Sequence, residues 1–131
     1  MVDRAYQHPI GIEPSDIDHM GHVNNSVYLK WVQDAVVDYW SKVAPPDAVA
    51  RHLWVALKHE INYRAPTFID DNVVASVVAD RVRGARAFFT TVIKRGEEVV
   101  AEVKSVWCCL DADSQRPARL KADIVDRFVG D

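Results

Sequence analysis

Between Val27 and Trp40 the chain carries a broad apolar stripe of helical period, and no later segment of comparable length does. That contrast limits the available folds more than any other feature. Val27, Tyr28, Trp31, Val32, Ala35, Val36, Tyr39 and Trp40 recur at i, i+1, i+4 and i+5, which puts them on one face of a long helix. Asn24 or Asn25 can cap its N-terminus, and Pro45-Pro46 is expected to end it. From His52 onward the period changes to two. Leu53, Val55, Leu57, His59, Ile61 and Tyr63 alternate with Trp54, Ala56, Lys58, Glu60, Asn62 and Arg64, and Ala65-Pro66-Thr67 breaks the run. Val73 to Val82 is apolar at both parities, as a strand covered on both faces is. Arg83-Gly84 turns into a strand over Ala85–Lys94, and Arg95-Gly96-Glu97 into one over Glu98–Leu110. Tyr6, His8, Ile10 and Ile12 form a short half-exposed strand before the helix, and its two prolines suit an edge. Leu120–Val129 is expected to close the chain as a short helix.

One strand, one long helix and four antiparallel strands make an α+β domain in which the helix must bury its stripe against the sheet. The 131 residues suffice for one such core, and residues 1–131 are read as a single domain. The sheet's other face and its edges then need cover, which a second copy supplies, so a homodimer or a tetramer built as a dimer of dimers is expected. A net charge of −3 disfavours nucleic acid as a partner. No stretch reaches the ~20 apolar residues that span a bilayer. No secretory signal is visible, so the cytoplasm is the expected compartment. The two cysteines, Cys108 and Cys109, are adjacent in a predicted strand; their side chains diverge, which leaves no disulfide framework and no thiolate metal site.

The chemistry is concentrated in one loop. Asp16-Ile17-Asp18-His19-Met20-Gly21-His22-Val23-Asn24-Asn25 sets two carboxylates, two imidazoles and two amides just ahead of a helix N-terminus. Such a terminus presents unpaired N–H groups and a positive dipole end, which suit an oxyanion forming on a carbonyl. Gly21 removes side-chain bulk where a ligand approaches the backbone. A carboxylate beside it can attack a carbonyl or activate water. Taken alone, Asp18 reads equally as a loop or capping residue. Asp16, Asp18, His19 and His22 are all metal-capable, but the spacing lacks a helix-borne His-x-x-x-His pair, and neither a metal nor a cofactor is expected.

The run Asp-x-Asp-x-x-Gly-His-Val-Asn-Asn-x-x-Tyr, Asp16 to Tyr28, resembles the signature of the 4-hydroxybenzoyl-CoA thioesterase family of hotdog proteins. Tyr63-Arg64-Ala65-Pro66, Asp70-Asp71 and Arg116-Pro117 resemble looser features of the same family. The resemblance implies a hotdog fold, one long helix wrapped by a curled antiparallel five-stranded sheet. It also implies hydrolysis of an acyl-CoA thioester to a free acid and coenzyme A. Asp18 matches the catalytic carboxylate, as nucleophile or general base. Asn25 matches the backbone N–H that polarises the carbonyl, and Gly21 matches the turn glycine. His22 is a proton relay or a turn-stabilising group, and Asp16 and His19 are supporting residues. Asn24 and Tyr28 flank the substrate, and His59 is a substrate-binding candidate on a face where packing is the default. Arg83 and Arg86, beside Arg81 at a predicted hairpin tip and near Lys58 or Arg64, are candidates for the coenzyme A phosphates. Asp34, on the long helix beside Asp38, is the reserve catalyst, since some hotdog thioesterases carry their carboxylate there. The competing readings are an acyl-carrier-protein thioesterase and a non-catalytic acyl-CoA-binding module. A hydratase is disfavoured, because its longer Asp-and-His motif is missing.

Overall fold

In the computed structural model, which describes residues 5–129, the elements run β1 (Tyr6–Ile10), α1 (Val27–Val43), α2 (Pro46–Arg51), β2 (His52–Tyr63), β3 (Val73–Arg83), β4 (Arg86–Arg95), β5 (Glu98–Asp111) and α3 (Ala122–Val129). A 3-10 turn, Pro14–Asp16, follows β1. The five strands form one antiparallel sheet in the order β1-β3-β4-β5-β2, so β1 is an edge, which suits the Pro9 it contains, and β2 is the other. The sheet wraps α1, the arrangement that the sequence resemblance implies. Tyr28, Trp31, Val32, Ala35, Val36, Tyr39 and Trp40 are all buried there, the helical stripe read from the sequence with only Val27 at its rim. Against them pack Val73, Ala75, Val77, Ala87, Phe89, Ile93 and Val103 from the inner face of β3, β4 and β5. α3 closes one end of this layer. The Phe128 ring stacks on Tyr39 at 5.1 Å and meets Trp40 and Phe89 edge-on at 5.3 and 5.4 Å. The Tyr39 hydroxyl donates to the Phe128 carbonyl.

Four expectations need correcting. The helix begins at Val27, not directly after Asn24 or Asn25, and the residue before it is Ser26. Pro45-Pro46 does end α1, but Pro46 opens α2, because proline at the first helical position forfeits an N–H that has no partner there anyway. β2 is not one alternating face. Its register against β5 shifts between Ala56 and Lys58, and such a bulge exchanges the faces beyond it. Leu53, Val55 and Leu57 therefore point outward, 45%, 44% and 51% exposed, while His59 and Ile61 lie on the inner side. Lastly, β3 is covered on one face only: Val73, Ala75, Val77 and Ala79 are buried, but Val74, Ser76 and Val78 are half-buried on the outside. Among the described residues no helix is long and apolar enough to cross a membrane.

One polar cluster ties β1 to α1. Asp38 accepts hydrogen bonds from the Tyr6 hydroxyl at 2.5 Å and contacts His8 Nδ1 at 2.9 Å. These bonds, Tyr6 first, hold the Asp38 carboxyl below the ordinary carboxylate range, and the same bond pushes the Tyr6 phenol up to about 12. Asp38 is thus committed to this cluster. Cys109 is buried, which pushes its thiol up to about 12, and Cys108 is half-buried; both are free thiols.

Candidate active site

The loop ahead of α1 is held by its own backbone. Asp18 N–H donates to the His22 carbonyl at 3.0 Å, and Gly21 N–H donates to the Asp18 carbonyl at 3.0 Å, which closes a tight turn. Gly21 sits at φ +85°, a left-handed conformation that a side chain disfavours. Asp18 Oδ1 accepts from the Met20 N–H at 2.9 Å, while its second oxygen has no partner among the described residues. The carboxylate is half-buried at the mouth of the turn. Asp16 lies beneath it, buried, with Oδ2 accepting from the Glu13 N–H at 2.8 Å and its carbonyl from the Asn24 N–H at 2.9 Å. It braces the loop. His19 is exposed.

Asn24, not Asn25, turns the chain into the helix. Its Oδ1 accepts from both the N–H and the hydroxyl of Ser26 at 3.0 Å, and its carbonyl accepts from Val27 N–H at 2.9 Å. That side chain is therefore occupied. Asn25 stands between, exposed, and among the described residues its N–H meets no acceptor. An unpaired N–H two residues ahead of a 17-residue helix is a donor in a favourable field. The Tyr63 hydroxyl donates to the Asn25 carbonyl at 2.9 Å and fixes the following Asn25–Ser26 peptide from β2.

The segment between β2 and β3 supports the loop from below. Val23 N–H donates to the Thr67 carbonyl at 2.8 Å. The Tyr28 and Thr67 hydroxyls bond at 2.8 Å in a fully buried position, and burial raises the Tyr28 phenol. The Tyr28 hydroxyl is therefore spent on the scaffold. His22 meets the Phe68 ring edge-on at 6.3 Å. Arg95 holds the same segment in place: Nη1 donates to Asp71 at 2.6 Å and to the Pro66 carbonyl at 2.9 Å, and Nη2 pairs with Glu98.

Sequence reasoning missed Tyr63, Thr67 and Arg95. Apart from Glu98 beside Arg95, their partners lie tens of residues away, and the one local signal was the Tyr-Arg-Ala-Pro break after β2.

The structure does not bring every candidate together. Arg83 and Arg86 flank the β3–β4 turn, at the other end of β3 from the segment that carries Thr67, about 33 Å along the strand. Arg64, which lies at the loop's end of the sheet, is paired with Glu102 at 3.1 Å. His59 is on the inner face of β2, four residues from Tyr63, with both ring nitrogens buried and unpartnered, and burial lowers its pKa. Asp34 is exposed on α1. No group of three or more His, Cys, Asp or Glu able to hold a metal occurs among the described residues.

The fold has counterparts in known proteins. Residues 12–128 match the model of the thioesterase-like superfamily. The long-chain acyl-CoA thioesterase FadM of Escherichia coli (strain K12) is 24% identical over 129 residues, covering 93% of this chain and 96% of that protein. A thioesterase from Thermus thermophilus, solved with coenzyme A and Zn, superposes with a TM-score of 0.82 at 23% identity, over 97% of this chain and 98% of that one. A DHNA-CoA thioesterase from Staphylococcus aureus gives a TM-score of 0.78 at 20% identity, over 95% and 83% of the respective chains.

Proposed function

This chain belongs to the thioesterase-like superfamily, and we propose that it hydrolyses acyl-CoA thioesters, with Asp18 as general base and the Asn25 N–H as oxyanion donor. The observation that carries the reading is the pairing of two unspent groups on one braced loop: a carboxylate oxygen of Asp18 and the backbone N–H of Asn25. The thioester carbonyl accepts from Asn25, at the positive end of α1. Asp18 takes a proton from water, and the resulting hydroxide adds to the carbonyl carbon. The C–S bond then breaks, and coenzyme A leaves as a thiolate that needs no strong acid behind it. The acyl-CoA names of the relatives support the substrate class.

The functional unit in this reading is a dimer joined along β2. That strand is a sheet edge, 12 residues long, with exposed Leu53, Val55 and Leu57 beside it, and an open apolar edge of this kind is a template for pairing. Antiparallel pairing of two β2 edges carries the Arg83–Arg86 turn of one copy to the sheet end that holds Asp18 of the other. Those guanidinium groups then stand where coenzyme A phosphates arrive.

The test is a panel of acyl-CoA esters assayed by thiol release, with Asp18→Asn as the variant. Asparagine keeps the acceptor for Met20 but cannot take a proton, so turnover is expected to fall by at least ~10²-fold with the melting temperature unchanged. Full activity in Asp18→Asn would transfer the role to Asp34.

A further inference from the structure

Tyr63 reaches the loop only because β2 is irregular. Along the strand it has the parity of Leu53, Val55 and Leu57, which point outward. In an unbroken strand Tyr63 would share their face, because side chains alternate with a period of two. The register shift between Ala56 and Lys58 inserts an unpaired residue and exchanges the faces beyond it. Tyr63 therefore arrives on the side of α1. There its ring meets Tyr28 edge-on at 5.3 Å, and its hydroxyl donates to the Asn25 carbonyl at 2.9 Å. Bulges recur beside active sites, where they re-aim a side chain.

That bond lands on a turn whose other ties are local. The Asn24 carbonyl, in the same peptide as the Asn25 N–H, accepts from Val27 N–H at 2.9 Å. Ser26 N–H, in the same peptide as the Asn25 carbonyl, donates to Asn24 Oδ1 at 3.0 Å. Both bonds lie within residues 24–27, so they set the shape of the turn. The Tyr63 bond spans 38 residues and ties that shape to a strand. Its far end is firm. The N–H groups of Arg64 and Ala65 both donate to the Val100 carbonyl, at 2.9 and 3.2 Å, which anchors the end of β2 to β5. The Tyr28 ring beside Tyr63 is held in turn by the buried bond to Thr67.

We propose that Tyr63 is a positioning residue for thioester hydrolysis, and that its hydroxyl sets the direction in which the Asn25 N–H points. The inference rests on the thioesterase reading and gives the bulge in β2 a task within it. Without the hydroxyl, the Asn25–Ser26 peptide is free to rock, and the N–H on the other side of the same residue loses its aim. A donor stabilises charge in a transition state only as well as it is held beforehand, and a small misplacement costs rate. Tyr63 is 42% exposed, and a hydrogen bond open to water contributes little to stability. What the bond supplies is alignment.

Tyr63→Phe keeps the ring against Tyr28 and removes only the hydroxyl. Turnover of the best acyl-CoA ester is expected to fall about 10-fold, with KM within about 2-fold of wild type and the melting temperature unchanged. A second measurement needs no turnover. An acyl-CoA ketone, with a methylene in place of the thioester sulfur, is titrated into both proteins and followed by amide NMR. The Asn25 amide is expected to shift in wild type and to lose most of that shift in Tyr63→Phe, while the Asp18 and Gly21 amides respond alike in both. Full turnover in Tyr63→Phe, or a loss confined to KM, would overturn the proposal. So would equal disturbance of Asp18, Gly21 and Asn25, the mark of general support for the loop. A wild-type protein that cleaves no ester, yet whose Asn25 amide answers the ketone only with Tyr63 present, sinks the activity and keeps the placement. Cleavage indifferent to the Tyr63 hydroxyl sinks the placement alone.

Discussion

Replacing Thr67 with valine changes one hydroxyl into a methyl at a position with no exposure, so shape is kept and no cavity opens. What is lost is the 2.8 Å bond to the Tyr28 hydroxyl, itself only 2% exposed. The phenol is then buried without a partner, which costs about 2 kcal/mol. For a chain of this size that lowers the melting temperature by about 8 °C. Tyr28→Phe strands the Thr67 hydroxyl in the same way and costs a similar amount. The double variant strands nothing; it loses only the net worth of one bond, about 1 kcal/mol. The two single effects therefore sum to about 4 kcal/mol while the pair costs far less, a coupling of about 2–3 kcal/mol. Urea denaturation of the four proteins measures it. Additivity within about 0.5 kcal/mol would refute the claim that the two hydroxyls answer each other beneath the loop.

Three further outcomes are expected. Gly21→Ala adds a Cβ with no atom within 4 Å but forces φ +85° on a non-glycine residue, so a loss of about 1 kcal/mol by thermal melting is all backbone strain. Asp38 has a lowered folded pKa, so its contribution is present above the unfolded carboxylate pKa and vanishes as pH falls through the folded value. Asp38→Asn is therefore expected to be less stable than wild type at neutral pH by about 1 kcal/mol, given partial solvent screening, with the gap closing in acid on urea titration. Leu57→Lys places a charge on the open β2 edge, where Leu57 is 51% exposed, and is expected to shift sedimentation toward monomer without unfolding the chain.

The stripe from Val27 to Trp40, the strands after it and the Asp16–Asn25 loop were legible because each is a local pattern: a period, a turn glycine, a capping amide. The helical period fixes which face of α1 must be buried, and the buried residues are the ones it names. Local pattern fails where one residue of register matters. The alternation in β2 runs unbroken through Leu57 and His59, yet the bulge after Ala56 turns the first outward and the second inward. That bulge is a property of pairing with β5, which no window of β2 contains. The same limit explains Asn25: two adjacent asparagines look alike as caps, and only the folded turn commits Asn24 to Ser26 and leaves the Asn25 N–H unpaired. The sequence by itself determined one helix against one sheet and the loop proposed to hold the chemistry, since both follow from local spacing. Tertiary structure alone decided which oxygen and which N–H stay free, and set Tyr63, Thr67 and Arg95 beneath them, because hydrogen bonds across tens of residues exist only once the chain has closed.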